Sequence, residues 1–279
     1  MAMKRPAAAV LKRPAAASVL QRPAAAMLKR PAAAASVGRR SASALAAEEE
    51  PTHAPVAKEE PTHITILGFG SLLSERSARV SFPQLSNFRL ARVPGVRRVF
   101  RHPAGIFFQR SIVPPGTKEF CSLSTERCAG RSIVVSAMEI PRSELTVDFY
   151  RREEEYDLVL TAFEPLGDGD VGGEGLLCYP APDEAFVQKW GEARWQESYG
   201  RFGITTIWGH GPDSGVLPCP VYLRHCVLAV TKAGPEAHRS FLDDTFLVDR
   251  RTSIREYLER RPEIMELQPP PELAERYNG

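Results

Sequence analysis

The stretch HITILGFGSLL, residues 63–73, decides how the rest of the chain reads. Residues 64–67 are an apolar, partly β-branched run, which predicts a short buried strand. The run enters Gly68-Phe69-Gly70-Ser71, where two glycines let the backbone turn sharply and lie close to a ligand. Successive N–H groups in such a turn can converge on an anion, a carboxylate or a phosphate. A dinucleotide fingerprint fits poorly, because Leu73 stands where the third glycine belongs and no strand-helix-strand unit follows. No GxSxG surrounds Ser71, which argues against an α/β-hydrolase.

Some eighty residues further on lies SELTVDFYRREEEY, residues 143–156. Leu145, Phe149 and Arg152 fall at helical spacing, with Ser143 as the expected N-cap. Glu153-Glu154-Glu155 then close the helix ahead of Tyr156, where strand character returns. Three adjacent carboxylates repel one another. One turned into an apolar pocket has its pKa raised toward neutrality, as a general acid/base requires. The plainer reading of the same run is a solvated helix end.

Between these stretches, RLARVPGVRRVF (89–100) reads as a strand bent or edged at Pro94-Gly95, with Arg92, Arg97, Arg98 and Arg101 on a solvated face. Residues 119–124 predict a short strand, and RSIVVSAMEI (131–140) the clearest one. YDLVLTAF (156–163) and residues 175–179 add two more, joined by the loop GDGDVGGEG. In that loop Glu174 comes too early for a calcium site. Helices are expected over 184–199, capped by Asp183, over 220–232 and over 236–246. A last one opens on the capping box Ser253–Glu256. Trp190 and Trp195 read as packing aromatics. Strands first and helices after predict an α+β domain over residues 63–268, several strands being short enough to close a small barrel.

The pair of motifs, strand–GFGSLL and then RREEEY, resembles the γ-glutamylcyclotransferase-like superfamily over residues 64–163, most of all its plant or algal members. In those, a tail like FLDDTFLVDRRTSIREYL accompanies the loop. The resemblance implies a small mixed β-barrel with flanking helices, here followed by a helical C-terminal extension. It implies that Gly68, Phe69, Gly70, Ser71, Leu72 and Leu73 form the loop whose N–H groups hold the α-carboxylate of a γ-glutamyl substrate. It assigns the proton-transferring role to Glu153, with Glu154 and Glu155 as alternates, and places Tyr156 beside the substrate. The reaction implied is cyclisation of a γ-glutamyl peptide or amine to 5-oxoproline, with no cofactor. Phe69 stands where the family usually has tyrosine, which favours the other reading of the same fold, a silent small-molecule binding module.

The rest of the chain differs in kind. Residues 1–35 repeat KRPAAA-type units, and nine basic residues fall within the first 47 with no acid among them. A total of +2 therefore leaves the body mildly acidic. Prolines every eight or nine residues forbid a continuous helix, so residues 1–45 are expected to be a disordered basic tail. It reads as a targeting peptide, a nucleic-acid-binding arm or a low-complexity extension without a specific role. Residues 46–62 repeat EEPTH and read as a linker, and residues 269–279 as a flexible tail. Five cysteines without a CxxC and six scattered histidines predict reduced thiols and no metal site. No apolar run is long enough to span a membrane. A cytoplasmic monomer or homodimer is expected, or an organellar protein (plastid or mitochondrion) if the tail is a targeting peptide.

Overall fold

The computed structural model describes residues 61–279; the expected tail of residues 1–45 and residues 46–60 of the linker lie outside them. In chain order the elements are β1 (His63–Gly68), α1 (Glu75–Ser81), β2 (Ser86–Pro103), α2 (Gly105–Gln109), β3 (Glu119–Pro141), α3 (Val147–Arg152), β4 (Tyr156–Pro165) and β5 (Gly173–Pro180). They continue as α4 (Asp183–Trp190), α5 (Glu192–Ser198), β6 (Leu217–Pro218), α6 (Pro220–Ala233), α7 (Pro235–Asp243), β7 (Thr245–Phe246), α8 (Ile254–Arg260) and α9 (Ala274–Tyr277).

Five strands close a mixed barrel with flanking helices, as expected. β3 pairs with β1, β1 with β5, β5 with β4, β4 with β2, and β2 returns to β3. Only β1–β5 is parallel within that ring. Because successive side chains on a strand face opposite ways, β1 sends Leu67 inward and Ile66 outward. Leu67 joins Val93, Val96, Ile133, Val135, Phe163 and Leu177, contributed by all five strands, in the barrel interior. Ile66 joins Met138, Ile140, Phe82, Phe149 and Leu176 beneath α1 and α3. A third core, built around Phe100, Leu123, Leu223, Cys226 and Phe241, packs the C-terminal helices onto the ends of β2 and β3. Both faces of residues 133–138 are thus covered, which is why that part of the stretch reads as mostly apolar.

Several expectations need correction. The strands foreseen at 119–124 and 131–140 are halves of one strand, β3, folded against β2 as a long hairpin. Pro94 faces Ser132 and Val96 faces Arg127, so Gly95 alone opposes four residues of β3. Gly95 and Gly130 take φ of +72° and +74° there. This bulge bends the ribbon and lets the sheet curl shut. Ser143 does not cap α3. It lies in a 3₁₀ turn, and Thr146 caps the helix by accepting from the Phe149 N–H. The helix expected at 184–199 is broken at Gly191 (φ +85°) into α4 and α5. Asp183 is the first residue of α4 rather than its cap. Its carboxylate instead accepts from the Ile207 and Trp208 N–H groups and the Thr206 hydroxyl. Helix α7 ends at Asp243, and residues 245–246 form β7 beside β2.

Two corrections bear on the site. Arg98 is not on a solvated face; it is fully buried. Residues 269–279 do not wander, since they form a 3₁₀ turn and α9 that bury Leu273 and Tyr277. The capping box at Ser253 and Glu256 is present as read, and α6 buries Leu223, Cys226, Val227 and Val230. All five cysteines are free thiols. Among the described residues no helix is long and apolar enough to cross a membrane, and no cluster of side chains could hold a metal ion.

Candidate active site

Strand β1 delivers its last residue, Gly68, against β3, and the chain then leaves the barrel rim. A Cβ on Gly68 would lie 2.5 Å from the Ser136 hydroxyl and 2.6 Å from the Leu72 side chain. One on Gly70 would lie 3.0 Å from the Tyr222 hydroxyl and 3.2 Å from Leu123. Both glycines are therefore demanded by close approach, and neither has a positive φ. Residues Ser71–Leu73 follow as a 3₁₀ turn closed by Leu73 N–H to Gly70 O at 3.0 Å, while the Ser136 hydroxyl donates to Leu72 O at 2.8 Å. No described residue accepts from the backbone N–H of Gly70, Ser71 or Leu72.

These residues form one wall of a cavity of about 190 Å³. Gly68, Phe69, Gly70, Ser71 and Leu72 line it; Leu73 does not, being packed inward in the C-terminal core. Glu153, Glu154, Glu155 and Tyr156 line the same cavity, and Ile66, Phe82, Phe149 and Leu176 supply apolar lining. The two motifs that the sequence sets far apart thus share a pocket. They do so because α3 ends where β4 begins. Its last turn is capped at Glu153, whose N–H bonds Phe149 O at 3.2 Å, and Tyr156 N–H returns to Glu153 O at 3.0 Å.

The three glutamates have different surroundings. Glu153 lies beside Arg152 (3.1 Å) and accepts from the Cys178 thiol at 3.7 Å. Glu154 is clamped by Arg194, whose Nε and Nη2 reach its two oxygens at 2.8 and 3.0 Å. A bidentate pair of this kind commits the carboxylate. Glu155 is buried without a cationic partner. Its Oε1 accepts from the Tyr199 hydroxyl at 2.6 Å and the Gly105 N–H at 3.3 Å. Desolvation is the dominant influence and, against the pull of the Tyr199 hydrogen bond, lifts its pKa to about 7. Two indoles hold the backbone of the run: Trp190 Nε1 donates to Glu154 O and Trp208 Nε1 to Glu155 O.

Tyr156 donates its hydroxyl proton to Leu123 O at 2.7 Å, so the 3.0 Å contact with His102 Nε2 requires the imidazole to be the donor. His102 stacks on Trp208 at 4.4 Å, and burial first, then Arg101, keeps it neutral, well below the usual histidine pKa. Phe69 meets Tyr156 edge-on at 6.5 Å.

Sequence reasoning therefore finds the loop and the glutamate run but misses what distinguishes the glutamates: Arg194, Tyr199, His102 and Trp208. Trp190 was read only as a packing residue. None of these has a motif; a buried tyrosine or arginine looks like any other until the fold brings it to a carboxylate.

No family model matches the chain, and no curated protein does. Among solved structures, an uncharacterised protein from Homo sapiens is 12% identical, with a TM-score of 0.33 over 53% of this chain and 90% of its own. A γ-glutamyl cyclotransferase is also 12% identical, with a TM-score of 0.31 over 53% of this chain and 89% of its own. A protein from Arabidopsis thaliana is 13% identical, with a TM-score of 0.33 over 50% and 85%. Likeness at this level carries no argument about chemistry.

Proposed function

We propose that the chain is a γ-glutamyl cyclotransferase-like enzyme that converts a γ-glutamyl peptide or amine to 5-oxoproline and the free amine. One observation carries the reading: the loop with three uncommitted N–H groups and the glutamate run line one small cavity. The N–H groups suit the substrate's α-carboxylate, and the carboxylates suit its α-ammonium. A glutamate removes a proton from the ammonium. The freed amine attacks the γ-carbonyl carbon of the same molecule, forming the ring C–N bond. The old C–N bond then breaks as the departing nitrogen takes that proton back from the carboxyl group; the second proton, shed by the ring nitrogen, passes through the same carboxylate to the amine, which leaves as an ammonium. Ring closure draws on intramolecular proximity, so the residues need only orient the substrate and relay these two protons.

The resemblance assigns the proton to Glu153, and we keep that assignment as the leading one. A specific observation favours a second. Glu155 has no cation beside it and titrates near neutrality, where a proton carrier is most effective. Glu154 is set aside by Arg194.

The test is 5-oxoproline release from glutathione, γ-glutamyl amino acids and ε-(γ-glutamyl)lysine by wild type and the three Glu→Gln variants. Loss of about 10²–10⁴ in kcat for Glu153→Gln, with smaller effects elsewhere, supports the leading assignment. The same loss confined to Glu155→Gln moves the role two residues. No release from any substrate by wild type leaves the pocket as a binding module.

A further inference from the structure

Arg98, on β2, is the largest side chain fully shielded from solvent. Its pKa falls to about 9 through burial, so it remains a cation at neutral pH. Yet among the described residues no carboxylate bonds to it, Asp244 acting only through its charge. Its donors go to carbonyls and a hydroxyl: Nε to Phe69 O at 2.8 Å, Nη2 to Val134 O, and Nη1 to Ser240 O and Oγ at 3.4 and 3.5 Å. The guanidinium also lies over the Phe241 ring at 5.6 Å. A buried charge is expensive, and a hydrophobic residue of similar volume usually serves packing as well. The contact with Phe69 suggests what the charge does here.

Phe69 and Gly70 share a trans peptide, in which C=O and N–H point opposite ways. Arg98 draws the Phe69 carbonyl toward itself, on the side away from the cavity, for Arg98 is not among the lining residues. The Gly70 N–H is thereby turned away from Arg98. We propose that Arg98 is a positioning residue that orients the Phe69–Gly70 peptide, so that the loop presents its N–H to the carboxylate of the ligand. Through Ser240 the same side chain anchors the loop to α7, so that helix helps set the geometry of a site it does not line. This inference rests on the loop being a carboxylate subsite.

Its test uses two probes that differ only in the α-carboxylate, γ-glutamylalanine and 4-aminobutyrylalanine, bound to the full chain and followed by calorimetry alongside 5-oxoproline release. Wild type is expected to bind the first at least tenfold more tightly. Arg98→Met should lose most of that preference by weakening γ-glutamylalanine alone, and Arg98→Lys should restore part of it by keeping one donor. A general loosening of the fold would weaken both probes together and would overturn the proposal, as would an unchanged preference in both variants. If Arg98→Met does not fold, Arg98→Lys alone decides: a severalfold loss confined to the carboxylate-bearing probe supports the proposal, and no selective loss sinks it. Wild type binding both probes equally removes the subsite, and Arg98's role with it. Wild type that discriminates the probes yet releases no 5-oxoproline from γ-glutamylalanine or from the wider substrate panel refutes the cyclisation and leaves the positioning role standing.

Discussion

A carboxyl group kept from water resists ionisation, and Glu155 is held that way between Tyr199 and Gly105. Its folded pKa, about 7, lies above the ordinary 4.5. Between those two pH values the native state holds more protons at this residue than the unfolded chain does. Stability contributed by Glu155 is therefore present at low pH and is lost as pH rises toward 7, by on the order of 3 kcal/mol in total. His102 and His225 act in the opposite sense. Burial depresses both, His225 to about 4, so their contribution is present above the ordinary histidine pKa and is lost as pH falls. Glu155→Gln should raise the melting temperature at pH 8 relative to wild type, and the gain should vanish at pH 4. Urea midpoints measured across that range for both proteins check it. At Gly70 the constraint is steric. Gly70→Ala places a methyl group 3.0 Å from the Tyr222 hydroxyl and 3.2 Å from the buried Leu123, so it should raise KM, or the ligand Kd, severalfold and lower the melting temperature, since those side chains must give way.

At the scale of elements, the glycine loop was legible because both its glycines are steric necessities, and the glutamate run because like charges in sequence are conspicuous. Arg98 was not. Its neighbours Arg92, Arg97 and Arg101 pair with Glu236 and Glu126 near the surface, and one arginine in such a row carries no mark of burial. Only the docking of α7, from a stretch some 140 residues later, encloses it. The break at Gly191 escaped for a related reason. Phe186 and Trp190 before it and Ala193 and Glu197 after it keep helical spacing, and the interruption depends on a positive φ that only a glycine takes easily. Caps were legible where side chain and backbone agree locally: Ser253 and Glu256 satisfy each other as read. Ser253→Ala should cost about 1 kcal/mol in chemical denaturation without affecting the pocket, from which α8 is absent.

Over the whole molecule, the order of strands then helices pointed to the class, but not to which strands would be neighbours, because pairing is settled by the bulge at Gly95 and by β1 finding both β3 and β5. Nor did the sequence disclose that the last eleven residues are structural. Leu273 and Tyr277 are buried there, and Tyr277 packs edge-on against His225 at 5.4 Å. A chain ending at residue 268 should lose roughly 2–5 kcal/mol, the range for removing a large buried side chain, and melt several degrees lower in a thermal scan. The place of β1 also matters while the chain is being made. It is the first of the described strands to leave the ribosome, yet its antiparallel partners run from Ser136 to Pro141 and its parallel contact is Leu176. At about 5–20 residues per second, several seconds of synthesis pass before an apolar strand that carries the glycine loop can be paired. The strand that carries the glycine loop is thus one that depends for long on being kept from other nascent chains.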